Sequence, residues 1–383
     1  MTTASFDTNT VTRQSLAHGP LGTALLDIER AHRGLTDFHA AHRKLAVSGP
    51  LIDGNHANLF LGAPAMAYVL HMAAAGSDRY AGALHTLDAA VAAHTRRRLA
   101  AAHTRIDQGH YTSFAEYDLF RGLTGIGALL LRRQPDSPEL RRVLEYLVRL
   151  TEPVAGPDGQ PRPGWWVGHA PASNKAATPG GHANAGLAHG ITGPLALLAL
   201  AKRRGVTVRG HAEAMRRILR WLDRIRQSDH HGTRWPRWVS LAGPAPSHVA
   251  APSWCYGTPG IVRAQQLAAI VLADNDRKRM AERALLYCLA DTRQLDLLVG
   301  RGLCHGVGGL IRTVQRVAED ADQPHAVKAL NDWLQRSPER FLAAETPQAS
   351  GFLEGTAGAS LAFQIAEPDS SPATDWDACL LLS

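Results

Sequence analysis

One short theme recurs seven times along this 383-residue chain: two small residues three apart, nearly always glycines, followed by an apolar run. It reads His18-Gly19-Pro20-Leu21-Gly22, Leu61-Gly62-Ala63-Pro64-Ala65, Arg121-Gly122-Leu123-Thr124-Gly125 and His189-Gly190-Ile191-Thr192-Gly193. The last three are Tyr256-Gly257-Thr258-Pro259-Gly260, His305-Gly306-Val307-Gly308-Gly309 and Glu354-Gly355-Thr356-Ala357-Gly358. Successive first members lie 43 to 68 residues apart. One Gly-x-x-Gly is common by chance; seven at near-regular spacing mark a repeat architecture.

Longer amphipathic segments separate the pairs, near 84–102, 208–226, 277–290 and 326–341, and no convincing alternating β-branched run appears. Another opens at Ser137-Pro138-Glu139, with a capping serine, a proline at the first helical position and an acid in the first turn. Each unit therefore reads as an outer amphipathic helix, a glycine turn and a short inner helix that is apolar all round. Helices apolar all round are buried, and glycine lets backbones approach closely at the turn. Seven inner helices inside seven outer ones close into a double ring, an all-α α/α toroid, with an open solenoid as the competing arrangement. The inner N-termini should gather at one mouth, where free N–H groups suit anions such as thiolates.

The chemistry-bearing residues stand on these turns. Cys255 precedes one inner helix in Trp254-Cys255-Tyr256-Gly257; Cys304 and His305 precede the next in Leu303-Cys304-His305-Gly306. A ring brings these two consecutive turns side by side, so two sulfurs and one nitrogen converge. That set suits one Zn2+, and three protein ligands leave a fourth position open for a thiol or water. The plainer alternative is two buried thiols and a turn histidine. No Cys-x-x-Cys pair suggests a zinc finger, and Cys288 and Cys379 sit in apolar helical settings as buried small residues. His230-His231 lacks spaced partners and reads as an exposed loop. A Pro/Gly-rich irregular insertion at about 155–186 holds Trp165, Trp166, His169, His182 and Asn184. It reads either as a wall over the mouth that contacts a peptide or as a surface insertion.

Lys plus Arg exceed Asp plus Glu by 41 to 34, a net charge of +7. The arginine clusters lie on separate helix faces with no interleaved aromatics, so nucleic acid is not expected, whereas an acidic peptide is compatible. The first fifteen residues lack the apolar stretch of a signal peptide. No run reaches the roughly 18 apolar residues of a membrane span. A cytoplasmic protein is expected.

Ala188-His189-Gly190-Ile191-x-Gly193-Pro194-Leu195, Trp254-Cys255-Tyr256-Gly257-x-Pro259-Gly260 and Leu303-Cys304-His305-Gly306 resemble the signature of the lanthionine synthetase C (LanC) type cyclases. Phe352-Leu353-Glu354-Gly355-x-Ala357-Gly358 and the closing Trp376-Asp377 are similar to that family's C-terminal end. The likeness runs from about residue 16 to the last residues, a single toroid domain over 1–383. It implies a zinc-dependent cyclase that forms lanthionine and methyllanthionine thioether rings. A substrate cysteine thiolate adds, Michael fashion, to dehydroalanine or dehydrobutyrine in a ribosomally made precursor peptide.

By the same resemblance Cys255, Cys304 and His305 are the zinc ligands, and His189, Asp118 and Tyr256 the catalytic residues. His189 would protonate the enolate, Asp118 would orient His189, and Tyr256 would donate to the enolate oxygen. Read on their own, His189 and Tyr256 also suit structural places and Asp118 also suits a helix cap. The implied partners are a dehydrated precursor with leader and Cys-containing core, and a dehydratase, with a membrane-associated complex as one setting the resemblance allows. Many relatives carry an arginine four residues before the Trp-Cys cysteine; here Ala251 stands there, and Arg263 or Lys175 are the substitutes in view. Three other functions compete: activation of a small thiol such as glutathione, a non-catalytic zinc-containing peptide-binding toroid, and a zinc prenyltransferase. The last uses an Asp/Cys/His ligand set and an aromatic-lined cavity, which a chain only 6% aromatic supports poorly.

Overall fold

The computed structural model describes residues 7–46, 51–170, 178–244, 250–364 and 372–383. In chain order the main helices are α1 (Pro20–His32), α2 (His39–Ala46), α3 (Ala63–Ala74), α4 (Ala81–Asp107), α5 (Leu123–Arg133), α6 (Pro138–Leu150) and α7 (Thr192–Arg203). They continue as α8 (His211–Ile225), α9 (Thr258–Leu272), α10 (Asn275–Ala290), α11 (Val307–Asp320), α12 (Pro324–Ala343) and α13 (Thr356–Gln364). The odd-numbered helices form the inner ring. Each packs on the next, and α13 packs on α1, so the ring closes. The even-numbered helices back the inner helices they follow, and a short helix, Thr8–Arg13, takes the outer place ahead of α1.

The glycine pairs have a stereochemical cause. Every inner helix starts within two residues of the first member of its pair. The second member lies against the carbonyl oxygen six residues before it. A Cβ at Gly22, Gly125, Gly193, Gly260, Gly309 or Gly358 would come 1.7–2.6 Å from that oxygen, closer than any real contact. Only the second turn departs, with Ala65 at this place. Gly257, at φ +121°, also takes a backbone conformation that L side chains avoid.

Hydrogen bonds tie neighbouring turns together at the mouth. Leu16 N–H donates to Phe60 O (2.9 Å), and Leu119 N–H to Ala188 O (3.0 Å). Leu187 and Ala188 donate to Cys255 O (3.1 and 3.4 Å), Leu303 and Cys304 to Leu353 O (2.7 and 3.1 Å), and Phe352 and Leu353 to Ala17 O (2.9 and 3.1 Å). In each case the donor lies on one turn and the acceptor on the next. Among the described residues two seams have no such bond. Between the second and third turns the Phe60 ring packs, tilted, against that of Phe120 at 4.5 Å instead. The other seam lies between the fifth and sixth turns, which carry Cys255 on one side and Cys304 with His305 on the other.

The C-terminal segment, 372–383, runs into the middle of the ring. Tyr68 of α3 donates to Trp376 O (2.9 Å), Trp254 Nε1 to Leu380 O (3.0 Å), and Arg263 of α9 to Leu382 O through Nε and Nη2 (2.9 and 2.8 Å). Asp377, fully buried, pairs with Arg312 and Arg316 of α11, each at 2.8 Å. These two guanidinium groups hold its carboxyl far below the usual carboxylate range against the cost of burial.

Among the described residues seven short strands decorate the ring. β1 (Val154–Ala155) pairs with β2 (Pro161–Arg162). β3 (His182–Asn184) pairs antiparallel with β6 (Trp238–Ser240), which also pairs with β7 (Gly243–Pro244). β4 (Gln227–Asp229) and β5 (Gly232–Arg234) form a separate hairpin. β3 is wholly buried and leads directly into the fourth glycine turn.

Candidate metal centre and active site

Cys255, Cys304 and His305 meet at the mouth, their ligand atoms all within 4.8 Å of one another. This is the scale of one four-coordinate ion with bonds of about 2.0 to 2.3 Å. The donor set fits zinc: two soft thiolates and one imidazole. Both cysteines are buried, whereas the His305 side chain is 64% exposed, so the cluster opens to solvent on that side. The donors share protons. A hydrogen bond from Cys304, aided by His305, pulls the Cys255 thiol down to about 5 despite burial. Cys255, and then Glu354, hold His305 up at about 10, while the Cys304 thiol is pushed up by its hydrogen-bonded Cys255 neighbour. Negative charge therefore collects on Cys255, as a cation-binding cluster requires.

Glu354, on the seventh turn, touches this cluster. Its Oε1 accepts from His305 Nδ1–H at 2.7 Å and from the His305 backbone N–H at 3.0 Å.

The family-implied catalytic residues lie beside it. Asp118 has no exposure and uses its two oxygens differently. Oδ1 accepts from the backbone N–H groups of Arg121 and Gly122 (2.6 and 2.9 Å), just ahead of α5. Oδ2 accepts from His189 Nδ1–H at 2.7 Å. One oxygen thus braces the turn ahead of α5 without capping the helix itself, and the other meets His189. The His189 ring stacks on Phe120 (4.9 Å) and stays 35% exposed. Its Nε2 has no hydrogen-bond partner among the described residues.

Tyr256 links the two halves. It follows the metal-cluster residue Cys255, and its ring lies 6.1 Å from that of His189. Asn184 Nδ2 donates to the Tyr256 oxygen at 3.1 Å, so the phenol proton is free to point elsewhere. Burial pushes the hydroxyl up to about 12, which keeps that proton in place. Gly186 makes room for the ring: a Cβ there would meet Tyr256 Cδ1 at 2.6 Å.

The irregular insertion supplies the neighbouring wall. Its strand β3 carries Asn184 and His182, and Phe114 packs against the rings of His169, His182 and His189 at 5.4–6.2 Å. Trp165 and Trp166 are buried, Trp165 against Trp221 of α8 and Trp166 donating from Nε1 to Gly180 O. They anchor the insertion rather than line the opening. Of the two cations considered for the place opened by Ala251, Arg263 points to the C-terminal segment and Lys175 lies outside the described residues. The structure offers a third. Arg237, one residue before β6, lays its guanidinium 4.6 Å over the Tyr256 ring. A lone Arg between two tryptophans in Trp235-Pro236-Arg237-Trp238 is the only hint the sequence gives.

A family model described as lanthionine synthetase C-like protein matches residues 10–381. The chain belongs to the lanthionine synthetase C-like family. Among solved structures it is similar to a nisin cyclase, with a TM-score of 0.78 and 21% sequence identity over 97% of this chain and 93% of that one. At that identity the likeness is one of fold, and the fold is the α/α toroid. No curated protein sequence matches the chain. In this LanC-like toroid the donor cluster and the Asp118–His189 pair occupy adjoining turns of one mouth.

Proposed function

We propose that this chain is a zinc-dependent lanthipeptide cyclase that joins cysteine thiols to dehydroalanine or dehydrobutyrine within one ribosomal peptide. The observation that carries the reading is the convergence of Cys255, Cys304 and His305 within 4.8 Å beside a carboxylate-held His189. Cys255, Cys304 and His305 would hold the zinc, which when bound would supply the Lewis acidity that lowers the pKa of a substrate thiol.

The remaining work belongs to side chains. Sulfur forms a bond to the β-carbon, and the alkene π pair moves onto the α-carbon and its carbonyl oxygen. Tyr256, its oxygen held by Asn184 and its proton free, donates to that oxygen. His189 Nε2 delivers the proton that the α-carbon needs, and Asp118 keeps the opposite nitrogen protonated and the ring aimed. The thiol gives up one proton and the α-carbon gains one, so no oxidant or further reactant enters. Arg237 brings positive charge to the lip where Ala251 has none.

The acceptor must be made beforehand by removing water from serine or threonine, so a dehydratase acts upstream on the same peptide. A reducing cytoplasm keeps the substrate thiols free, and there we place the reaction. No helix among the described residues is long and apolar enough to cross a membrane.

The test is ring closure on a dehydrated cysteine-containing peptide, read by mass spectrometry as loss of alkylatable thiol. The purified protein should hold one zinc per chain and consume thiol, and Cys304→Ala should lose both while keeping its helical fold. Full metal content and activity in that variant would falsify the reading.

A further inference from the structure

We infer that Glu354 is a positioning residue that fixes His305 for metal binding; the inference rests on the metal-site reading above. One carboxylate oxygen takes two hydrogen bonds from a single residue, the Nδ1–H of the ring and the N–H of the backbone. With Nδ1 protonated and engaged, the ring's lone pair lies on Nε2, the one nitrogen left to face Cys255 and Cys304. Holding the ring and the backbone of the same residue from one oxygen also restricts rotation of the imidazole about its side-chain bonds. A carboxylate in this place raises the basicity of the ligand as well as aiming it.

The seventh turn grips the sixth at a second point. Leu353, the residue before Glu354, accepts from the N–H groups of Leu303 and Cys304, so neighbouring residues of one turn hold both metal donors of the other. Room for the carboxylate is built in. A Cβ at Gly302 would lie 2.5 Å from Glu354 Oε2. An ordinary surface ion pair needs none of this and contributes little. His305 and Glu354 are both partly exposed, so the value of their contact lies in orientation rather than in fold stability.

The same logic operates across the mouth, where Asp118 holds His189 through Nδ1 at the same 2.7 Å. Each histidine is aimed by a carboxylate from a different turn, one toward the donors and one toward the acceptor.

The experiment is zinc affinity of the full chain, measured by competition with a chromophoric chelator, for the wild type, Glu354→Gln and Glu354→Ala. Glutamine keeps the size and loses the charge; alanine removes the acceptor. We expect the zinc dissociation constant to rise about 10–100-fold, with the melting temperature of the metal-free protein unchanged. With cobalt in place of zinc, Glu354→Ala should show a weaker or shifted visible absorption as the imidazole yields to water. Wild-type affinity and a wild-type cobalt spectrum in both variants would overturn the assignment. So would an affinity loss matched by an equal loss of metal-free stability, which marks a structural residue. A wild-type protein that takes up no zinc would overturn this inference together with the proposed function, whereas equal affinities overturn the inference alone.

Discussion

Asp118 shows how much one buried side chain can settle at the residue scale. Because Oδ1 is occupied by the backbone ahead of α5, the direction of Oδ2 is fixed, and so is the plane of His189. His189→Ala should keep its zinc and lose about 10²–10⁴-fold in ring-closure rate, the range of a single general acid. Asp118→Asn should also keep zinc and lose less, because an amide oxygen still accepts from Nδ1–H and still aims the ring. Rates from alkylation and metal content on the same samples test both; an unchanged rate in His189→Ala removes it from the mechanism. The donors themselves were readable in the sequence because Cys255, Cys304 and His305 stand at equivalent points of consecutive repeats. Glu354 was visible as a motif residue, but its partner lies 49 residues away on another turn, and only the packing of turns reveals the contact. Arg237 was hidden in the same way, since it reaches Tyr256 through a strand that pairs with β3.

At the scale of elements, the glycine pairs and the turn-to-turn bonds are two parts of one arrangement. In six of the seven turns the second glycine lets the inner helix sit directly under the carbonyl that begins its turn, and the turn is then free to bond its neighbour. The seam between the fifth and sixth turns lacks that backbone bond among the described residues and holds the three metal donors instead. An ion bound there would cross-link two inner helices, α9 and α11, at their N-terminal ends. Removing zinc with a chelator should therefore speed amide hydrogen exchange at 254–260 and 303–310, while 16–24 and 119–126 stay protected. Mass-spectrometric exchange on apo and zinc-loaded protein would reveal it. Uniform loss of protection around the ring, or none, would speak against a local seam. The repeat spacing predicted the inner helices closely, because an all-apolar run after a glycine turn has one place to go. The strands were not legible: each is two or three residues long and is defined by pairing, not by pattern.

For the whole molecule, closure of the ring decides where chemistry can happen. Seven inner N-termini converge on one mouth, and the C-terminal segment occupies the interior below it, held by Tyr68, Trp254, Arg263, Arg312 and Arg316. The double ring was legible from the seven pairs and their spacing. The packing of 372–383 into the ring was not, since Trp376-Asp377 carries no periodic signal and its arginine partners lie about 60 residues away on α11. With the donor cluster at that mouth, the proposed reaction requires substrate thiol and acceptor to meet there. Zinc X-ray absorption on the wild-type protein, alone and with a cysteine-containing dehydrated peptide, tests this most directly. The account predicts two sulfurs, one imidazole and one light ligand in the free protein, and three sulfurs once the peptide binds. A sulfur count that stays at two with saturating peptide, or four protein ligands from the outset, would contradict it.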